Sequence, residues 1–159
     1  MNALTGRRFG TGSGAGNRGR RLNRRRQRET ALQALFQAEL ARISGEEAFA
    51  RTRTVLGLEN KDLTFAWELV RGVGEQQAAI DRVIARVSHD WRLERITNVD
   101  RNIIRIALFE LLFRPDIPAN VAVNEAVELA KMYGTDDSGR FVNGILGKVV
   151  EQPDAYWPD

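Results

Sequence analysis

Residues Thr97–Phe113 read TNVDRNIIRIALFELLF, and from Ile103 to Phe113 only Arg105 and Glu110 are polar. At about 100° per residue those apolar side chains cover every side of a helix, leaving no face for water. Such a helix belongs in the middle of a bundle. It is too short to cross a bilayer, which takes roughly 20 apolar residues. Thr97 followed by Asp100 resembles a capping box with Asp in place of Glu, and the carboxylate suits the positive end of the helix. Pro115 stops it, because a proline ring cannot continue the hydrogen-bond ladder. This reads as the core helix of an all-α fold.

Working outward toward the C-terminus, Arg114-Pro-Asp-Ile-Pro118 is a rigid link. Pro118 stands just ahead of a helix predicted over Asn120–Tyr133, whose inner stripe is Val123, Ala126, Val127 and Ala130. Gly134 suits the position just past its end. A last helix starts from Thr135-Asp-Asp-Ser138, carries Phe141, Val142, Ile145, Leu146 and Val149 on one side, and ends at Pro153. Asp136 and Asp137 are adjacent carboxylates at a helix start, which reads as capping rather than acid–base chemistry.

Toward the N-terminus lies His89-Asp90-Trp91. A His-Asp pair suggests a metal-dependent phosphohydrolase, but that chemistry needs several imidazoles and this chain has one histidine. His89 then reads as a cap or surface residue and Trp91 as a plug at a junction. Before it, Asn60 is the expected N-cap of a long helix from Lys61 to Val87. Its stripe is Leu63, Trp67, Val70, Val73, Ile80, Ile84 and Val87, with Gly72 and Gly74 allowing a close neighbour or a bend. Trp67 sits in the stripe, which favours packing over base stacking. A shorter helix is expected over Glu46–Leu56, closed by Gly57. Ahead of it Leu32, Leu35, Phe36, Leu40 and Ile43 follow helical spacing up to Ser44-Gly45. The expected total is six or seven helices.

Charge is distributed unevenly. The chain has 159 residues, 24 basic and 21 acidic, with no cysteine, which excludes disulfides and thiolate metal sites and fits a cytoplasmic location. Residues 1–28 hold nine arginines and no acid, so the remaining residues carry a net charge of about −6. Composition divides the chain into a Gly/Arg-rich arm over residues 1–22, a helical domain over 23–152 and a tail over 153–159. The arm has too few apolar groups to offset its ordering entropy and is expected to be disordered. Its Gly14-Ala-Gly16-Asn-Arg-Gly19 matches a dinucleotide fingerprint only formally, since no strand precedes it. The run Arg20, Arg21, Arg24, Arg25, Arg26 and Arg28 leads into the first helix. It admits phosphate binding through guanidinium forks, or else a solvated arm, a targeting signal or a solubility tail.

Catalysis finds no constellation here. There is no phosphate loop with its Lys, no nucleophile beside a histidine and no histidine pair for a metal. No cofactor, metal site or membrane span is expected, and the chain reads as a binding protein rather than an enzyme.

Three runs in the second half, DRNIIRIALFELL, IPANVAVNEAVELAK and DDSGRFVNGILGKV, resemble the C-terminal half of the NusB family of bacterial transcription antitermination factors. RRRQRETALQALFQAEL resembles the family's opening helix, so the resemblance covers Arg24 to Val150. It implies two three-helix sub-bundles with an extra helix. It also implies binding of the boxA RNA of ribosomal RNA leaders together with the small-subunit ribosomal protein NusE, within the RNA polymerase antitermination complex. On this chain the implied RNA-binding residues are Arg24, Arg25, Arg26, Arg28, Asp137, Arg140 and Phe141. Phe36 and Asp100 are the implied contacts of the protein partner.

An aromatic ring beside a cation suits unpaired nucleotides, since stacking contributes roughly 1–3 kcal/mol per base. Periodicity alone reads Phe141 as core. The acidic body suits a basic protein partner. Phe36 stands where the family often has Tyr, which removes a hydroxyl from that contact, and the arm is longer than usual. Two other readings stay open. One is a non-catalytic domain related to ribosomal RNA cytosine methyltransferases, which carry a Rossmann-like domain after it. The other is a structural helical homodimer.

Overall fold

The computed structural model describes residues 20–88 and 93–156. Its elements are β1 (Arg20–Arg21), α1 (Arg24–Ala41), α2 (Gly45–Val55), β2 (Lys61–Asp62), α3 (Thr64–Val87), a 3-10 turn (Leu93–Arg95), α4 (Asn98–Phe113), α5 (Ala119–Tyr133), α6 (Ser138–Glu151) and α7 (Pro153–Tyr156). The fold is all-α, and the two short strands form a single parallel pair. The chain divides within α3, after Arg71, into compact units of residues 1–71 and 72–159. The Gly14–Gly19 motif, the bulk of the arm and the His89-Asp90-Trp91 junction lie outside the described residues.

In the second unit α4 packs against α5 and α6, and α5 against α6. Ile103, Ile104, Ile106, Ala107 and Leu108 are all sealed from water, as the continuous apolar run requires. Each of the larger side chains contributes roughly 1.5–3 kcal/mol on burial. Thr97 caps α4, its Oγ1 accepting from the Asp100 N–H at 3.2 Å. The two polar residues of the run have different neighbours to satisfy. Arg105 forks onto Asp81 of α3 with two hydrogen bonds of 2.9 Å, and Glu110 is fully buried. Gly72 is a close approach: a Cβ there would overlap the ring of Phe109.

The stripe of α5 is rotated from expectation. Ala122, Ala126, Leu129 and Ala130 are buried, whereas Val123 and Val127 are half-buried. Small residues take the inner positions because α5 meets both α4 and α6. The assignment of Asp136 and Asp137 as caps of α6 is corrected: Asp137 occupies the N-cap position, but its side chain makes no capping hydrogen bond. The turn is closed instead by the buried Ser138, whose Oγ accepts from the Thr135 N–H at 2.8 Å. The expected tail is partly helical, since Pro153–Tyr156 form α7.

In the first unit α1 packs against α2. Asn23 caps α1 by accepting from the Arg26 N–H at 2.9 Å. The helix ends at Ala41, earlier than expected, because Arg42 turns left-handed at φ 56° and its N–H bonds Ala38 O. Leu40 is consequently 62% exposed rather than part of the stripe. Ser44 belongs to the next helix and caps α2, accepting from the Glu47 N–H at 3.1 Å. Gly57, at φ 67°, closes α2 as its position predicts. The start of α3 also shifts. Asn60 is not its cap; Asp62 Oδ1 accepts from the Thr64 N–H at 3.0 Å and its hydroxyl at 2.6 Å. Trp67 is half-buried, its ring 5.4 Å from that of Phe49.

Candidate nucleic-acid interface

The first turn of α1 holds Arg24, Arg25 and Arg26 and no acidic residue. Cations at a helix N-terminus oppose the macrodipole, at about 0.3–1 kcal/mol each, whereas an anion placed there is favoured. The sequence therefore accepts an electrostatic cost at the point where a bound phosphate would reverse its sign. Arg24 and Arg25 are exposed and Arg26 is half-buried.

Arg28 is different, at only 3% exposure. Its guanidinium lies 5.2 Å from the centre of the Phe65 ring, and that of Arg24 lies 4.4 Å from it. Both distances suit attraction between a cation and a ring face, worth about 0.5–1 kcal/mol when exposed and more when desolvated. Beside them Gln27 is sealed from water and works as a clasp. Its Nε2 donates to Leu22 O at 2.8 Å and its Oε1 accepts from the Ala66 N–H at 3.0 Å. One side chain thus joins the entry to α1 and an otherwise orphaned N–H in the first turn of α3.

Arg20 and Arg21, assigned to the arm by composition, form β1. They pair in register with Lys61 and Asp62. The loop carrying β2 is held from behind by Arg53, whose Nε donates to Leu58 O at 3.2 Å and whose Nη2 donates to Glu59 O at 3.1 Å and Lys61 O at 2.6 Å. The two hydrogen bonds from Thr64 hold the Asp62 carboxyl below the usual carboxylate range, and the charges of Arg21 and Arg53 lower it further.

The second unit carries the other residues. Asp137 and Arg140 are exposed and Phe141 is half-buried at the start of α6, where the Phe141 N–H bonds Asp137 O at 3.0 Å. Phe141 is therefore not sealed in the core. Gly139 fixes this turn against α5, since a Cβ there would sit 3.2 Å from Lys131 Cγ. Asp100 is 7% exposed, and its Oδ1 finds no hydrogen-bond partner among the described residues. A buried carboxylate oxygen without a donor is costly and rare. Phe36 is 3% exposed on α1.

Gln27, Phe65, Lys61 and Arg53 are absent from the sequence-based set. Phe65 lies off the stripe that marks α3, and no local pattern pairs it with residues some forty positions earlier. Among the described residues no group of three or more His, Cys, Asp or Glu could hold a metal ion, and no helix is long and apolar enough to cross a membrane.

An all-helical chain with a cationic helix start in one unit and an aromatic-cation turn in the other has the features of a nucleic-acid-binding protein. Residues 25–151 match the model of the NusB family, and the chain belongs to that family. It is 67% identical over 138 residues to the transcription antitermination protein NusB of Desulforudis audaxviator, covering 87% of this chain and all of that one. The NusB of Pelotomaculum thermopropionicum is 54% identical over 137 residues, covering 86% and 95%. Among solved structures, NusB of T. maritima superposes with a TM-score of 0.74 at 37% identity, over 83% of this chain and 93% of that one. A structure of antitermination factors NusB and NusE in complex with double-stranded RNA matches with a TM-score of 0.73 at 26% identity, over 82% and 98%.

Proposed function

We propose that this chain is a non-catalytic, cytoplasmic antitermination factor that binds boxA-type leader RNA together with a NusE-class ribosomal protein and supports processive transcription. The observation that carries the reading is the arginine-only first turn of α1, an arrangement whose electrostatics favour a bound phosphate chain. Arg24, Arg25 and Arg26 supply direct phosphate contacts, and Arg28 adds its charge from beneath through Phe65. In the second unit Phe141 stacks an unpaired base, Arg140 holds its phosphate, and the uncapped Asp137 carboxylate accepts from base or sugar donors.

The partner side rests on Asp100. Its carboxylate offers an acceptor and a negative charge to a basic ribosomal protein. Phe36 contributes apolar packing on α1 and no hydroxyl. The family relatives that carry the NusB name, and the NusB–NusE–RNA complex among them, support the same pairing.

The test is fluorescence anisotropy with boxA-type and scrambled RNA, with and without the ribosomal protein, at several salt concentrations. The expected result is preference for boxA that sharpens with the partner. Equal affinity for both RNAs under both conditions overturns the reading. Phe141→Asp is expected to weaken RNA binding with the fold intact, and Asp100→Lys to weaken the partner contact alone.

A further inference from the structure

The β1–β2 ladder sets two like charges side by side. Arg20 is in register with Lys61, and Arg21 with Asp62. Paired residues leave a ladder on the same face and successive residues on opposite faces, so one face carries Arg20 with Lys61 and the other Arg21 with Asp62. The Arg21–Asp62 pair is complementary and secures the register. Arg20 and Lys61 bring two positive charges to one face of this parallel ladder, and like charges repel. The neighbouring Asp62 is engaged by Thr64 and lies in the fields of Arg21 and Arg53.

The site is also rigid before anything binds. Arg53 grips Lys61 O at 2.6 Å, and the Lys61 N–H bonds Leu58 O at 3.0 Å. Arg21 is followed by Arg24 after three steps of chain, a span of at most about 11 Å. The paired cations therefore adjoin the start of α1.

We propose that Arg20 and Lys61 together form a phosphate-binding site that carries the RNA backbone from the first turn of α1 onto the β1–β2 ladder. This rests on the RNA-binding reading above. The ligand is a backbone phosphodiester, recognised by charge and without regard to base, and its binding converts a repulsive pair into a clamp. Lys61 stands 33 residues beyond Arg28, outside the arginine run, and the ladder pairs it with Arg20 of that run.

The test uses the full chain and boxA-type RNA over a salt series. For single strands each phosphate contact contributes about 0.7 to the slope of log K against log salt. Lys61→Gln is expected to lower the slope by about that amount and to weaken binding about fivefold at 0.1 M salt. Lys61→Arg restores both. Arg20→Gln behaves as Lys61→Gln, and the double variant is weakened by less than the product of the single effects, because both cations serve one phosphate. The melting temperature of Lys61→Gln stays level or rises, since a repulsion is removed. An unchanged slope and affinity in Lys61→Gln, failure of Lys61→Arg to restore binding, or full additivity in the double variant overturns the proposal. If the unsubstituted chain fails to prefer boxA, the antitermination reading falls instead, which separates the two failures.

Discussion

The two units of this molecule use buried polar groups for different ends. In the second unit the ion pair of Arg105 with Asp81 serves cohesion by bridging α4 and α3, and around it the core is aliphatic and aromatic. In the first unit such groups gather where the arginines emerge. Gln27 clasps the entry to α1, Phe65 supports two guanidinium groups, and Arg53 holds three carbonyls of one loop. The contrast teaches where positioning was needed. A core held by apolar burial tolerates small adjustments, whereas a row of like charges stays in place only if directional bonds hold its backbone.

The sharpest way to break the contrast is to remove the bridge in the second unit. Arg105→Met leaves Asp81 half-buried without its cation, and such losses cost about 3–5 kcal/mol. Urea unfolding is expected to show a loss of that order, discounted for the partial exposure of Asp81, with RNA affinity of the folded fraction unchanged. Gln27→Ala comes next. It leaves the Ala66 N–H and Leu22 carbonyl without their partner, at about 1–3 kcal/mol for a buried group. Unlike Arg105→Met it is expected to weaken RNA binding in protein that remains folded.

Phe65→Leu has a smaller effect with a distinctive signature. Apolar volume is largely kept and the ring face is lost, so affinity falls a few-fold, in line with about 0.5–1 kcal/mol per cation–ring contact. The salt slope does not change, because no phosphate contact is removed, and Phe65→Tyr restores affinity. A reduced slope in Phe65→Leu would show that the ring does more than support Arg24 and Arg28.

The smallest expected effect concerns pH. The Asp62 carboxyl is depressed in the folded state, so its contribution to stability is fully present above the ordinary value of 3.8 and is lost as pH falls through the folded value. Asp62→Asn is expected to flatten that part of the acid-unfolding curve. An unchanged curve would mean that the Thr64 bonds survive protonation.

Much of the fold is legible along the chain because its signals are local. Eleven residues with two polar interruptions specify α4, and Thr97, Pro115 and Gly57 mark ends by backbone rules that operate within one turn, whereas Gly134 ends α5 as an extended C-cap at φ −94° and not as a left-handed glycine beyond it. Errors fall where two local signals compete. Asn60 and Asp62 are both fair caps for α3, and Leu40 fits a stripe that the left-handed turn at Arg42 cuts short. The adjacent carboxylates Asp136 and Asp137 are good caps by composition, yet the Ser138 hydroxyl closes the turn.

By itself, then, the sequence determined an all-helical chain, the central helix and a concentration of arginines, since hydrophobic periodicity and charge act between near neighbours. Tertiary structure alone decided that Arg24 and Arg28 lie on Phe65, that Asp100 keeps a buried oxygen unsatisfied, and that Lys61 joins Arg20. Those outcomes depend on side chains meeting across tens of residues, and no local pattern encodes the register in which distant segments come together.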